Sequence, residues 1–357
     1  MPAGVSEELQ SLAERIRAAA TQRRVLRIRG GGSKDFYGAA LQGELLETTH
    51  LTGIVDCEPT ELVITARAGT ALAAIECRLS EHGQMLAFEP PRFGERATIG
   101  GAVASGLSGP RRPYCGALRD FVLGVQIIDG RGELLRFGGR VIKNVAGFDV
   151  ARLMAGSLGT LGLLTEVTLK TVPRPKAECT LQFELDQPLA LERMSRWAAR
   201  PLPISATAWH GGRLLVRLSG AQAAVRAARQ ELGGELMQQG AGEYWEALRE
   251  QRLEFFSAAQ PLWRISLPAH APPLTSGDSL LEWGGALRWL RGPVESDAVR
   301  ALACRLGGHA TLFRASTKPA PGPFHPLSPS MLALHRRLKA VFDPQGLFNP
   351  GRLYPTL

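Results

Sequence analysis

The chain has 357 residues, 45% hydrophobic and 21% charged, a balance that supports a packed core and excludes a disordered or fibrous chain. Its length suits two domains of ordinary size. A net charge of +9 would suit a nucleic-acid partner, but the arginines are scattered, pairing only locally as at Arg23-Arg24, Arg111-Arg112 and Arg336-Arg337, so a solvated basic surface or attraction to an anionic ligand, partner or membrane leaflet is the better account.

From the N-terminus, Val5, Leu9, Leu12 and Ile16 recur at helical spacing with charge between them, which predicts an amphipathic helix and not a secretory leader. No apolar run reaches the roughly 18 residues a spanning helix needs, and the expected location is the cytoplasm. Cys57, Cys77, Cys115, Cys179 and Cys304 are far apart with no C-x-x-C, which suits a reducing compartment. The histidines are dispersed without H-x-H or H-E-x-x-H spacing, so no metal site is expected from one local element.

The strand-like "VLRIR" runs into Gly30, Gly31, Gly32, Ser33 and Lys34. This is neither G-x-x-x-x-G-K-[ST] nor G-x-G-x-x-G. Consecutive amides in a tight turn can form an anion-binding nest, to which Arg29 and Lys34 add charge; a plain glycine turn fits the same residues. "LVITARAG" then "TALAAIECRLSEHG" predict a strand and a helix capped by Thr70 and stopped by Gly83. A second glycine loop holds Thr98, Gly100 and Gly101, followed by the small residues Ala102, Ala104, Ser105 and Gly106. "VLGVQIIDGRGELLRFG" predicts a hairpin turning at Asp129–Gly132. A third cluster, "GSLGTLGLLTEVTLK", turns on Gly156, Gly159 and Gly162 before a strand. Three such loops imply one large extended ligand approached closely by backbone, with a Cβ at Gly31 or Gly101 intruding on its space.

The prolines of "TVPRPK" (171 to 176) mark a boundary. Beyond it "TLQFEL", "ISATAWH", "LLVRLS", "LWRISL", "LLEWGG", "ALRWLR" and "ATLFRA" read as strands, with helical runs "AAVRAARQEL" and "SDAVRALACRL" between them. That pattern predicts an antiparallel sheet with helices on one face, in which Trp283 and Trp289 belong to the core. The proline-rich "KPAPGPFHPLSP" is a linker to the amphipathic "MLALHRRLKAVFD". The expected units are residues 1–173, 174–325 and a C-terminal return, 326–357.

"RGGGS", "EPP…ATIGGAVASGLSGP", "YCGALRDFVLGVQIIDGRGELLRFGG", "VIKNVAGFDVARLMAGSLGTLGLLTE" and the terminal "FDPQGLFNPGRLY" resemble, in order, the FAD-binding domain of the vanillyl-alcohol oxidase (PCMH-type) superfamily. Within it the chain is most similar to the E-type FAD-binding subunits of bacterial glycolate oxidase (glycolate dehydrogenase), a likeness that "LEWGGALRWL", "GGHATLFRAS" and "FHPL" extend into the C-terminal half. The resemblance implies an α+β fold: a PCMH-type FAD-binding domain of two α/β subdomains plus an antiparallel-sheet cap with helices. It implies FAD contacts from Arg29, Gly30, Gly31, Gly32 and Ser33 at the diphosphate and from Thr98, Gly100, Gly101, Ala104, Ser105 and Gly106 beneath diphosphate and ring. Gly116, Asp120, Gly162, Leu163 and Asn349 complete that set. No histidine stands beside the first glycine loop, so the FAD is expected to be noncovalent, and Leu158 replaces the family's frequent glutamate.

The resemblance also implies oxidation of a small 2-hydroxy acid with partners, namely a second FAD subunit and an iron–sulfur subunit. The complex would associate peripherally with the cytoplasmic face of the inner membrane. Hydride transfer to a flavin needs a base for the hydroxyl proton and a cation for the carboxylate. The cap carries only "WHGGRLL" where relatives have a histidine-rich metal cluster. His309 is the candidate base, and Arg288 or Arg314 the candidate carboxylate clamp; equally, His309 can end a strand while the arginines lie over the sheet. Arg92, Arg111 and Arg112 are open to either reading. A structural FAD subunit without its own turnover is the alternative function, and isolated turnover at an enzyme-like rate is not expected.

Overall fold

The amphipathic N-terminus forms helix α1 (Glu7–Thr21), which buries Leu12, Ile16 and Ala19 on one face. The computed structural model describes residues 6–139, 149–257, 260–275, 277–318 and 322–357. Val5 and the "VIKNVAGF" part (141–148) of the quoted "VIKNVAGFDVARLMAGSLGTLGLLTE" therefore lie outside the described residues. Strand β1 (Leu26–Arg29) pairs in parallel with β2 (Glu44–Glu47), and Leu26 also bridges to Phe348 near the other end of the chain. Leu347 and Phe348 share a core with α1, β1, Ile128 and Leu163, so the terminal return packs directly beneath the first glycine loop.

Strands β3 (Ile54–Glu58) and β4 (Val63–Arg67) lead to helix α2 (Leu72–Glu81). Gly83, at φ +63, stops that helix as predicted. Thr70 does not cap it: its hydroxyl is occupied by the N–H and C=O of Gly53, each at 3.0 Å, and the residue at the cap position is Ala71. After β5 (Gln84–Met85) come the short helices α3 (Ile99–Ser105), α4 (Arg112–Cys115) and α5 (Leu118–Phe121). Strands β6 (Val122–Ile128) and β7 (Leu134–Gly138) form the predicted hairpin, whose turn is held by Asp129 accepting from the amides of Arg131 and Glu133. Helix α6 (Val150–Leu153), β8 (Leu163–Lys170) and β9 (Val172–Pro173) follow, with β9 pairing back to β5. The resulting antiparallel sheet, ordered β3-β4-β8-β6-β7, buries one core with α2 and α3 that includes Ile75, Phe88, Ile99 and Val167.

The second half contributes β10 (Ala177–Glu184), α7 (Gln187–Ala198), β11 (Ile204–His210), β12 (Arg213–Gly220), α8 (Gln222–Leu232), β13 (Glu235–Leu236) and α9 (Ala241–Arg249). It continues with β14 (Leu262–Ser266), β15 (Asp278–Glu282), β16 (Leu287–Arg291), α10 (Ser296–Arg305), β17 (His309–Arg314) and α11 (Pro329–Phe342). Its eight strands form one sheet, β13-β10-β12-β11-β15-β16-β14-β17. Helices α7, α8 and α10 cover one face through Trp197, Val225 and Val299. The other face does not stay bare: Leu215, Leu287, Trp289 and Phe313 pack there with Trp245 and Leu248 of α9 and with Tyr37 and Leu107 from the glycine-loop segments. The expected antiparallel sheet is present, with α9 a helix on the opposite face from the rest.

That junction is pinned by polar contacts as well. Glu89 accepts from Arg217 at 2.8 Å and from Arg111 Nε at 3.3 Å, and Trp283 Nε1 donates to the carbonyl of Gly109 at 3.0 Å. Burial raises the Glu89 carboxyl, but the two guanidinium groups outweigh it and hold the acid below its usual range. Arg111 is thus a structural link between the two sheets, not a solvated side chain.

Candidate functional site

Beyond β1 the amides of Gly30, Gly31, Gly32 and Ser33 donate to no atom of the described residues, leaving a run of free N–H groups. A turn closed by Asp35 N to Gly32 O holds their shape, and Arg29 Nε pairs with Asp35 at 2.7 Å while its guanidinium covers Gly32. Across from this run stands α3, whose Thr98 hydroxyl accepts from Gly101 N at 3.2 Å. A cavity of about 100 Å³ between them is lined by Arg29 to Ser33, Thr98, Gly100, Gly101, Ala104, Ser105, Gly162 and Asn349. Twelve sequence-predicted residues from four separate segments therefore share one wall system.

Asn349 ties that system together: its Oδ1 accepts from Ile28 N at 2.9 Å and its Nδ2 donates to Leu158 O at 2.7 Å. Four predicted residues lie elsewhere. Gly106, at φ +64, ends α3 against the backbone of Gly156. Gly116 is followed by Asp120, whose carboxylate accepts from Ala117 N at 2.8 Å and so serves the start of α5. The side chain of Leu163 is fully buried in the core beneath. Sequence reasoning missed Arg352, which lines the cavity and holds the 34–39 loop through the carbonyls of Asp35 and Ala39. Its signal was the arginine three residues after Asn349 in "FNPGR".

Lys34 Nζ donates to Arg92 O at 3.2 Å, and burial brings its ammonium down to about 8, with Glu250 pulling the other way. A chain of free amides ending in a lysine, opposite residues without bulky side chains, fits a diphosphate with a flat ring system.

The three candidate catalytic residues separate by strand pleat. Alternate residues of a strand face opposite sides. Trp289 faces the glycine loops, so its neighbour Arg288 points the other way, beneath the 271–272 loop. There Arg288 is fully buried and donates from Nε, Nη1 and Nη2 to the carbonyls of Gly285, Pro272 and Ala271. It clamps a loop on the face turned away from the glycine loops. Arg314 should share that orientation, but a register shift between Leu262 and Trp263 turns it, and its guanidinium lies 4.5 Å from the ring centre of Phe36 and 5.3 Å from that of Phe93. His309 stands exposed at the start of the edge strand, on the loop-facing side. Enough of its ring is covered that desolvation, then the charges of Arg264, His325 and Arg112, lower its pKa.

The same face carries a carboxyl that the sequence did not single out. Glu282 is buried, one cross-strand row from Trp289, whose Nε1 donates to it at 2.7 Å. Burial pushes Glu282 up to about 7 from an ordinary 4.5; Trp289 and Arg264 oppose the rise and Glu89 adds to it. A raised acid keeps its proton in the fold while the unfolded chain has lost it. The stabilisation is complete below pH 4.5 and is lost as pH climbs through 7, a span of roughly 3 kcal/mol. Glu282→Gln, neutral throughout, should melt like the parent at pH 4.5 and above it at pH 8; equal pH slopes for both proteins would refute the assignment.

With this geometry in place, comparison with known proteins is decisive. The chain is 49% identical over 349 residues to glycolate oxidase subunit GlcE of Escherichia coli (strain K12), covering 98% of each chain. The chain belongs to the GlcE family of FAD-linked oxidases. Two segments of this GlcE-family chain also match domain families: residues 6–138 the FAD binding domain and residues 326–353 the C-terminal domain of FAD linked oxidases. More distant is a D-lactate dehydrogenase of Archaeoglobus fulgidus, 26% identical over 92% of this chain and 86% of that one. Glycolate oxidase subunit GlcD of Bacillus subtilis (strain 168) is 30% identical over 170 residues, 47% of this chain and 36% of that one. Among solved structures, alkyldihydroxyacetonephosphate synthase superposes with a TM-score of 0.66 over 96% of this chain and 74% of the other at 14% identity, which establishes a shared fold. The cofactor of this GlcE-family chain is FAD, and the glycine-walled cavity has the donor set that FAD requires.

Proposed function

We propose that this chain is the FAD-carrying subunit of a multi-subunit complex that oxidises glycolate to glyoxylate. The observation that carries this reading is the match to subunit GlcE along 98% of both chains, joined to a cavity whose free amides suit FAD. Gly30 to Ser33 hold the diphosphate through their amides, and Thr98, Gly101, Ala104 and Ser105 form the opposing wall. Bound FAD supplies a two-electron acceptor. It is noncovalent, because no histidine stands beside the first loop, so acid precipitation releases the flavin into the supernatant.

The partners are a second FAD subunit and an iron–sulfur subunit that carries electrons onward, and the assembly sits at the cytoplasmic face of the inner membrane. No described helix is long and apolar enough to cross a membrane, so attachment runs through the complex. A partner surface is supported by α11, where Met331, Leu334 and Val341 are 44%, 47% and 60% exposed at positions spaced along one side of the helix. The test is anaerobic addition of glycolate to the flavin-loaded chain, alone and with its partners. Bleaching of the flavin absorbance that needs the partners supports the subunit reading. Absence of bleaching in both conditions overturns glycolate oxidation and leaves the FAD structural.

A further inference from the structure

Lys34 follows directly on the run of free amides and lines the same cavity. Among the described residues no carboxylate lies within ion-pair distance of its Nζ, which donates to Arg92 O at 3.2 Å and to Ser33 Oγ at 3.4 Å. The Arg92 carbonyl belongs to the peptide unit whose N–H is that of Phe93, and Phe93 N donates to Glu250 at 2.8 Å. The same carboxylate oxygen accepts from Arg92 N at 3.0 Å. The C=O and N–H of a peptide group point opposite ways. One peptide group therefore stands between an ammonium beside the glycine loop and a carboxylate just past the end of α9, with its dipole aligned to both.

A second observation is independent of charge. Phe93 stands at φ +52, a left-handed conformation that a bulky residue adopts only where its surroundings impose it. Its ring is set between those of Phe36 and Phe313, with centres 5.5 and 6.3 Å away, and Lys34 Nζ lies 5.7 Å from its own centre. The other charges about Lys34 are committed elsewhere or repel it. Asp35 pairs with Arg29 at 2.7 Å, and the Arg92 guanidinium pairs with Glu76. Arg314 shares the Phe93 ring at 5.3 Å, Arg352 Nη2 approaches the Lys34 carbonyl at 3.4 Å, and Lys318 holds the carbonyls of Phe36 and Gly38. Burial lowers Lys34 to about 8, and Glu250, itself touched by Arg249 Nε at 2.8 Å, is the acid that opposes the fall.

We propose that Glu250, a cap residue, governs the affinity of the glycine-walled cavity for FAD by keeping Lys34 charged through the 92–93 peptide. The diphosphate of FAD is anionic, so the cofactor binds the ammonium form of Lys34 more tightly than the neutral amine. Binding then takes up a proton wherever the empty cavity has lost one. Full affinity therefore lies below pH 8 and is lost as pH rises through that value. Glu250 does not itself line the cavity, so it is a positioning residue that acts through Lys34. The inference needs FAD as the cofactor and holds whichever acid is oxidised, or none.

The test is the FAD dissociation constant of the full chain from about pH 6.5 to 9.5, read by flavin fluorescence, with circular dichroism at each pH. Release of flavin from the loaded chain on dilution gives the same constant where the empty chain does not stay folded. Wild type should weaken about tenfold between pH 7 and pH 9. Lys34→Arg, charged throughout, should show no such fall. Lys34→Met should bind about 10–100-fold more weakly at pH 7 and stay level above it. Glu250→Gln should move the midpoint of the fall to lower pH, and Arg249→Met, which removes the cation beside Glu250, should move it to higher pH. A role in folding alone would weaken binding at every pH and leave the midpoint in place. A constant independent of pH in wild type, or a fall that persists in Lys34→Arg because Lys318 or another group carries it, overturns the inference. So does a midpoint unmoved, or moved the opposite way, in whichever of the two cap variants folds. Loss of glycolate bleaching with this pH profile intact would sink the oxidase reading and leave the relay standing.

Discussion

Gly31→Ala is expected to yield no folded, flavin-containing protein, whereas Gly101→Val should fold and lose its flavin. A Cβ built at Gly31 falls 1.5 Å from the carbonyl oxygen of Arg96, and that atom is backbone with no rotamer to change. Relief requires the 94–98 segment to move, which displaces Thr98 and the start of α3. This lies well beyond the ~1–3 kcal/mol of ordinary overpacking. At Gly101 the nearest atom to an added Cβ is the Thr98 hydroxyl at 3.2 Å, which can give, while the rest of the new side chain enters the cavity. Circular dichroism and flavin absorbance of the purified variants separate the outcomes. Near-native flavin content in Gly101→Val would show that α3 does not meet the cofactor. The expectation that a Cβ at Gly31 would intrude on the ligand's space is corrected, since that space is filled by the Arg96 carbonyl, while the Gly31 backbone still lines the cavity.

Lys339→Met should destabilise the fold by about 3–5 kcal/mol, the usual cost of leaving one half of a buried ion pair alone. Lys339 Nζ donates to Thr160 O at 2.7 Å, to Phe348 O at 2.8 Å and to Asp343 at 2.7 Å. Asp343 is itself buried and accepts from Leu347 N and Phe348 N, so it would remain charged and uncompensated. The network joins α11, the third glycine loop and the terminal segment that carries Asn349. Weakened flavin retention should therefore accompany the lower denaturant midpoint. Pairing Lys339→Met with Asp343→Asn should recover part of the loss, and a shift under 1 kcal/mol in the single variant would show that the pair is not structural.

Much of the site was legible because it is built from backbone. Gly30 to Ser33, Thr98 to Ser105 and Gly162 were found as segments whose composition only a close backbone approach explains, and such segments act through main-chain atoms that no register can turn away. The hairpin at Asp129 and the stop at Gly83 are likewise local, each set by a few neighbouring residues. Thr70 looked as local and was not, since Gly53, far off in the chain, claims its hydroxyl.

The side chains of the cap sheet were a different matter. "ALRWLR" shows Arg288 beside Trp289, and nothing in that run says which of the two faces the glycine loops. The face is settled by the partners β14 and β15, and a shift of one residue exchanges every side chain between faces. So Arg288 went to the loop at 271, Arg314 was returned to the inner face by an irregularity in the pairing of its own strand with β14, and Arg264, plain in "LWRISL", came to lie on that inner face over Trp283. The sequence alone determined where backbone must come close to a ligand, because glycine content is a property of each segment by itself. Which side chains surround that ligand was decided only by tertiary structure, because strand register is fixed by packing between residues distant in the chain.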